Sequence, residues 1–306
     1  MQHSMLHTIY TLLSVPNQVP SNILASFQSI APLLAEIDPK NYSSWQQQFN
    51  DVAQEIERAT QRKGLSHKTV VGFGGGFGAG KSRFINSLLG VDVLPEALEP
   101  CTAVATYLSH SPQEYTQALN LFGHTIELKA HQLGQLRHFV DNTDSINLGQ
   151  LIRHMHLGLP AIPWHNVALL DTPGYSKADS QHHAQNDERI ALNQLGAAQH
   201  IVWLVNAKNG TIRDEDLQFL QQLDLSNPIF VVLTQSDLVN RADLQPIMDG
   251  IAKHLSNKHI KVAGLMAWAA PIAQNRGERL FGDDILAWFD KINQPVWQSF
   301  HRIVIN

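Results

Sequence analysis

The chain is poor in cysteine: Cys101 is the single one in 306 residues. No internal disulfide can form, which favours a reducing compartment. It has no uncharged apolar run of the roughly 18 to 20 residues that cross a bilayer, so any membrane contact is expected to be peripheral. Residues 1–10 carry no Lys or Arg ahead of an apolar core, which does not support a signal peptide. Net charge is −5 and no lysine/arginine block stands out, so a general nucleic-acid surface is not expected. Internal repeats and low-complexity tracts are missing too. The expectation is a globular protein of the cytoplasm, 43% hydrophobic and 16% charged. Its length suits one large domain with an attachment, or two modest ones.

Three regions separate by pattern. Residues 1–66 read as helices. Ile23, Leu24, Phe27, Ile30, Leu33, Leu34 and Ile37 recur at helical steps behind a possible Ser21 cap. Trp45, Phe49, Val52 and Ile56 mark a second stripe, which ends near Gly64. From residue 67 to 275 short apolar strands alternate with helical stretches. The strands fall near 69–73, 104–108, 151–157, 167–170, 200–205, 229–233 and 260–265. Such alternation implies an α/β domain in three layers, with a mostly parallel sheet covered on both faces. Residues 276–306 return to helix: Ile285, Leu286, Trp288, Phe289 and Ile292 form one apolar set, and Pro295 can open another. The two terminal segments are expected to meet in a helical bundle beside the α/β domain. The chain stops on an apolar stripe, Ile303 and Val304, as a truncated chain would.

Chemistry concentrates in Gly75-Gly76-Phe77-Gly78-Ala79-Gly80-Lys81-Ser82, a GxxxxGK[ST] phosphate loop between an expected strand and an expected helix. Glycines let backbone N–H groups curl around phosphate oxygens, and the helix amino terminus adds a positive dipole end. Lys81 would reach the β- and γ-phosphates, and the Ser82 hydroxyl would ligate Mg²⁺. Asp171-Thr172-Pro173-Gly174 follows an apolar run; Asp171 suits a second magnesium carboxylate, and the Gly174 N–H can turn toward a γ-phosphate. Asp, Pro and Gly also make ordinary strand-end turns. Thr234-Gln235-Ser236-Asp237 follows another run. Guanine offers N1–H and a 2-amino group side by side, which one carboxylate can accept together, so Asp237 would select GTP over ATP. The alternative is a helix N-cap. Thr102 lies about twenty residues beyond the phosphate loop. On a mobile loop it could ligate Mg²⁺ and order with GTP; alone it reads as the start of a strand.

With these elements in order, the chain resembles the dynamin superfamily of large GTPases, especially its bacterial members. The carrying text runs from Gly76 through Lys81-Ser82-Arg83-Phe84-Ile85-Asn86-Ser87-Leu88-Leu89-Gly90, then Val93-Leu94-Pro95, to Cys101-Thr102-Ala103-Val104. The resemblance covers about residues 68–270. It implies that 67–275 is a GTPase domain with terminal neck helices. It also implies GTP hydrolysis, with GTP or GDP held together with Mg²⁺, and a homodimer through the GTPase domains. A protein partner or a membrane would be met through regions outside this chain. Lys81, Thr102 and Gly174 would act in catalysis, and Ser82, Thr102 and Asp171 on the metal. Residues 75–83 with Thr234, Gln235 and Asp237 would hold the nucleotide.

The chain departs from that family at several places. Gly78 stands where a serine is common, and Phe77 where dynamins proper carry a water-orienting glutamine. Tyr175 follows the second switch glycine, and Gln235 replaces the lysine whose stem covers guanine. Hydrolysis by the isolated chain is therefore expected to be slow. The rival readings are a GTP-switched scaffold that hardly turns over, and an ATP-using P-loop enzyme. Other signals are blander. The 16 histidines include the pairs His154/His156 and His182/His183 without a third ligand by spacing. Residues 117–122 read as a strand. Arg83 and Lys177 could donate charge across a dimer or simply face solvent.

Overall fold

The computed structural model describes residues 67–76, 78–94, 104–120, 122–128, 151–172, 191–223, 225–270 and 276–294, with residues 40, 65 and 189. Among the described residues one 10-stranded sheet dominates. Its strands in chain order are β1 (Thr69–Gly74), β2 (Ala105–His110), β3 (Tyr115–Asn120), β4 (Thr125–Glu127) and β5 (Ile152–Leu159). They continue with β6 (Val167–Asp171), β7 (His200–Asn206), β8 (Ile229–Thr234), β9 (Val262–Ala269) and β10 (Glu278–Gly282). Spatially they run β10-β9-β8-β7-β1-β6-β2-β5-β3-β4. From β9 to β6 every pairing is parallel. β2 pairs antiparallel with β6, β3 with both β4 and β5, and β10 with β9. The mostly parallel sheet expected from the sequence is thus the central block, and the outer strands make the whole sheet mixed.

Alternation along the central strands builds two cores. Val202 and Leu204 of β7, with Phe230 and Val232 of β8, point to one face. Ile201, Trp203 and Val205, with Ile229, Val231 and Leu233, point to the other. A strand apolar on both sides must be covered on both, and helices do this. Helix α1 (Lys81–Leu89) places Phe84, Ile85 and Leu89 on the first face, where Phe84 meets Trp268 edge-on at 5.4 Å. Helices α2 (Asp214–Gln222) and α3 (Arg241–Asn257) cover the second face with Leu217, Phe219, Leu220, Leu244, Ile251 and Leu255. The connection leaving β1 and the one leaving β7, its neighbour, therefore lie on opposite sides of the sheet. In open α/β sheets such a crevice, at the carboxyl ends of the strands, is where ligands sit.

Residues 276–294 pack with the sheet. β10 extends the sheet along β9, and helix α4 (Ile285–Ile292) seats Ile285 and Phe289 in the first core. Phe289 stacks on Trp164 at 4.2 Å, and the Trp164 indole N–H donates to Asp290 at 3.0 Å. Asp284 caps the helix by accepting from the Leu286 and Ala287 N–H groups. The apolar stripe was readable from the sequence, but a stripe does not name its partner. The helices expected over 1–66 and from Pro295 onward lie outside the described residues, as does the bundle between them. Phe289→Ala should destabilise the protein by about 3–5 kcal/mol in urea titrations. A loss below about 1 kcal/mol would contradict the seating of α4 in the sheet core.

Candidate functional site

The phosphate loop leaves β1 at the centre of the sheet. Gly75 has φ 145°, and a Cβ there would lie 2.6 Å from the Leu204 carbonyl. Both facts demand glycine. Gly80, at φ 77°, turns the chain into α1 from the left-handed region, so the first turn of the helix faces the loop. Lys81 opens that helix and folds back, its Nζ donating to the Gly75 carbonyl at 3.1 Å. Ser82 Oγ donates to Asp171 Oδ2 at 2.8 Å. Asp171 ends β6, the neighbour of β1, with Phe73 paired to Asp171 in register. Thr172, next in the chain, donates from its hydroxyl to the Phe73 carbonyl at 2.8 Å and ties the two strand ends together.

Lys81 is 8% exposed and Asp171 2%. Burial lowers the Lys81 pKa from its ordinary value, while the Asp171 and then the Asp216 carboxylates push it back up. Burial raises the Asp171 carboxyl to about 6, against the pull of Lys81 and the Ser82 hydrogen bond. Each group offsets part of the burial cost of the other's charge. Asp171 Oδ1 is buried and has no hydrogen-bond partner. An orphaned carboxylate oxygen beside a hydroxyl is part of a donor set for a hard divalent cation. Ser82 and Asp171 therefore fit Mg²⁺.

The loop after β8 lies against the phosphate loop. The Thr234 hydroxyl donates toward the Ala79 carbonyl at 2.8 Å, with the Val205 carbonyl at 3.2 Å. Thr234 is buried and acts as a brace between the two loops. Gln235, at φ 55°, starts a 3₁₀ turn over Ser236–Leu238, and its amide reaches the Gly78 carbonyl at 3.5 Å, the limit of a hydrogen bond. Ser236 anchors the turn by donating to the Leu233 carbonyl at 2.7 Å. Asp237 is left exposed on the outside of the turn. Arg83 clasps the Ala270 carbonyl at the end of β9 with Nε at 2.9 Å and Nη2 at 2.6 Å. Phe77, Thr102 and Gly174, with Lys177 and Tyr175, lie outside the described residues.

Two residues near the loop escaped the sequence reading. Arg213 precedes α2 and is forked onto Asp216, Nε to Oδ2 at 3.2 Å and Nη2 to Oδ1 at 3.1 Å. In sequence, Asp214, Glu215 and Asp216 look like the acids common in a first helical turn. Among the described histidines, His156 meets Ser109 Oγ at 2.9 Å, and burial, with Lys68 nearby, lowers its pKa to about 4.

A glycine loop at a strand end, a buried lysine, a serine–aspartate pair and a braced second loop define a P-loop nucleotide-binding α/β protein. The sequence profile of the Dynamin family matches residues 69–236, more than half of the chain. The chain belongs to that family. It is 24% identical over 176 residues to dynamin-like protein 2 of Campylobacter jejuni subsp. jejuni, covering 57% of this chain and 27% of that one. An uncharacterized protein in the xynA 3′ region of Caldicellulosiruptor sp. is 23% identical over 181 residues, covering 57% of this chain and 42% of that one. The chain thus spans well under half the length of these relatives. A solved structure of an oligomerised bacterial dynamin pair, described as sensing and tethering membranes at long range, shares the fold. Its TM-score is 0.52 at 20% identity, with 82% of this chain and 36% of that one covered.

Proposed function

We propose that the chain binds GTP with Mg²⁺ and hydrolyses it to GDP and phosphate, slowly alone and faster when two GTPase domains meet. The cluster of buried Lys81 and Asp171 with Ser82, beside the glycine loop, carries this reading. Backbone N–H groups of residues 75–82 and the α1 amino terminus would cradle the phosphates, with Lys81 on the β- and γ-oxygens. Ser82, Asp171 and Thr102 would hold Mg²⁺, which when bound neutralises charge on the β- and γ-phosphate oxygens. The Gly174 N–H and Thr102 would touch the γ-phosphate, and Asp237 would accept from the guanine edge. Water attacks the γ-phosphorus, the bond to the β–γ bridging oxygen breaks, and the water's protons end on phosphate and solvent. Catalysis is positioning and charge stabilisation, without a covalent intermediate.

Phe77, Gly78 and Tyr175 leave no side-chain amide at these places to orient water. That supports a slow solitary enzyme. It also favours a second reading, a GTP switch with little turnover that acts in assembly. Support for self-association comes from family membership and the likeness to an oligomerised dynamin pair. Peripheral membrane association would involve regions outside this chain. The two readings separate in steady-state phosphate release with GTP or ATP, from nanomolar to high micromolar protein. The expected result is turnover of GTP only, with activity per molecule rising with concentration. Flat activity per molecule removes the dimer; GTP binding without turnover selects the switch. Equal use of ATP would overturn the guanine assignment of Asp237.

A further inference from the structure

A second charged pair sits on the phosphate loop, and the GTPase reading gives it no role. A Cβ built on Gly76 would lie 1.6 Å from Arg213 Nη2 and 2.8 Å from its Cζ. The guanidinium thus occupies the space where any side chain at 76 would go. It is held there by the two-point fork from Asp216, a geometry that fixes direction as well as distance. The pair is oriented: the Asp216 side chain is 5% exposed, whereas that of Arg213 is 40% exposed. The cation lies toward the surface of the loop and the carboxylate behind it. Lys81 locates this contact along the triphosphate. Its ammonium rests on the Gly75 carbonyl, and a P-loop lysine serves the β- and γ-phosphates. Gly75 and Gly76 therefore belong to the γ-phosphate end of the loop, away from the end that runs into α1.

Resting on the GTPase reading, we propose that Arg213, clamped by Asp216, is a positioning residue of the phosphate site that raises its preference for triphosphate over diphosphate. It does so in two ways. It fixes the backbone at Gly76, and it sets a cationic edge beside the place where the third phosphate adds negative charge. The arginine is supplied by the same chain, so this contribution exists before any dimer forms.

The test compares binding of GDP and of a non-hydrolysable GTP analogue to the full chain by calorimetry, in wild type, Arg213→Gln and Arg213→Lys. Arg213→Gln should cut the triphosphate-to-diphosphate affinity ratio about 5- to 20-fold while GDP affinity moves less than about 3-fold. Arg213→Lys, which keeps the charge but loses the fork, should fall between. A ratio unchanged within about 2-fold, or an equal loss for both nucleotides, overturns the proposal, because a purely structural prop would weaken both alike. Should Arg213→Gln unfold, the ratio measured with Arg213→Lys decides, and Gly76→Ala supplies a further arm. That change should weaken both nucleotides, and adding Arg213→Ala should restore GDP binding without restoring the triphosphate preference. Full recovery of the preference in the double variant would also overturn it. A wild type that binds neither nucleotide sinks the GTPase reading itself, a result distinct from binding without loss of preference in the variants.

Discussion

Lys81→Ala should weaken GTP binding by about 100- to 10,000-fold at neutral pH. The ammonium of a P-loop lysine bonds to two phosphates, and each charge-assisted hydrogen bond is worth about 1.5–3 kcal/mol. At about 1.4 kcal/mol per tenfold, two such bonds span that range. The loss has a second source. Asp171 is buried, and Lys81 is the main group that lowers its pKa, so without the lysine the carboxyl holds its proton more firmly and becomes a poorer metal ligand. Calorimetric titration with GTP and Mg²⁺ measures the effect, with circular dichroism as a check on folding. An affinity within about 3-fold of wild type would mean that the lysine is not at the phosphates.

Asp171→Asn should do two opposite things. The Asp171 carboxyl titrates at about 6 in the folded chain against an ordinary 3.8, so the fold prefers it neutral. Below about pH 4 it is protonated in both folded and unfolded states and costs nothing. Between about 4 and 6 the unfolded chain releases the proton first, and stability falls as pH rises. Above about 6 the cost is complete, up to about 3 kcal/mol. Asparagine removes it. The nucleotide-free variant should therefore be more stable than wild type at pH 7.5 by about 1–3 kcal/mol, and equally stable near pH 4. Magnesium-dependent GTP binding and turnover should drop by about 100-fold or more, because the orphaned oxygen suited to the cation is lost. Urea titrations at pH 4 and 7.5, paired with phosphate release, read both effects. A variant less stable at pH 7.5 with unchanged turnover would contradict the role of Asp171 and the sign of its burial cost.

The fold was legible where local pattern and tertiary need agree. Strands β1, β6, β7 and β8 are apolar on both faces and bounded by turn residues, so their runs stand out. The glycine loop was legible because its geometry demands glycines at fixed spacing. β10 was not legible: Glu278, Arg279, Phe281 and Gly282 are exposed on an edge strand, without an alternating buried face. The stripe of α4 was visible while its partner, the Trp164 side of the sheet, was not. Within the site, Lys81, Ser82 and Asp171 came from motif spacing, and the Ser82 hydroxyl donates to Asp171. Thr234 was read as a nucleotide contact, and its hydroxyl turns inward to brace Ala79. Arg213 and Asp216 reach the loop only through the packing of α2, and no spacing between residues 76 and 213 announces that contact.

The most direct test is equilibrium binding of fluorescent GTP to the purified wild-type chain with Mg²⁺, with excess GTP, GDP or ATP as competitor. Saturable binding displaced by GTP and GDP but not by ATP, and weakened when the metal is chelated, is the expected result. No saturable uptake, or equal displacement by ATP, would contradict the assignment of the glycine loop and Asp237 as a guanine-nucleotide site.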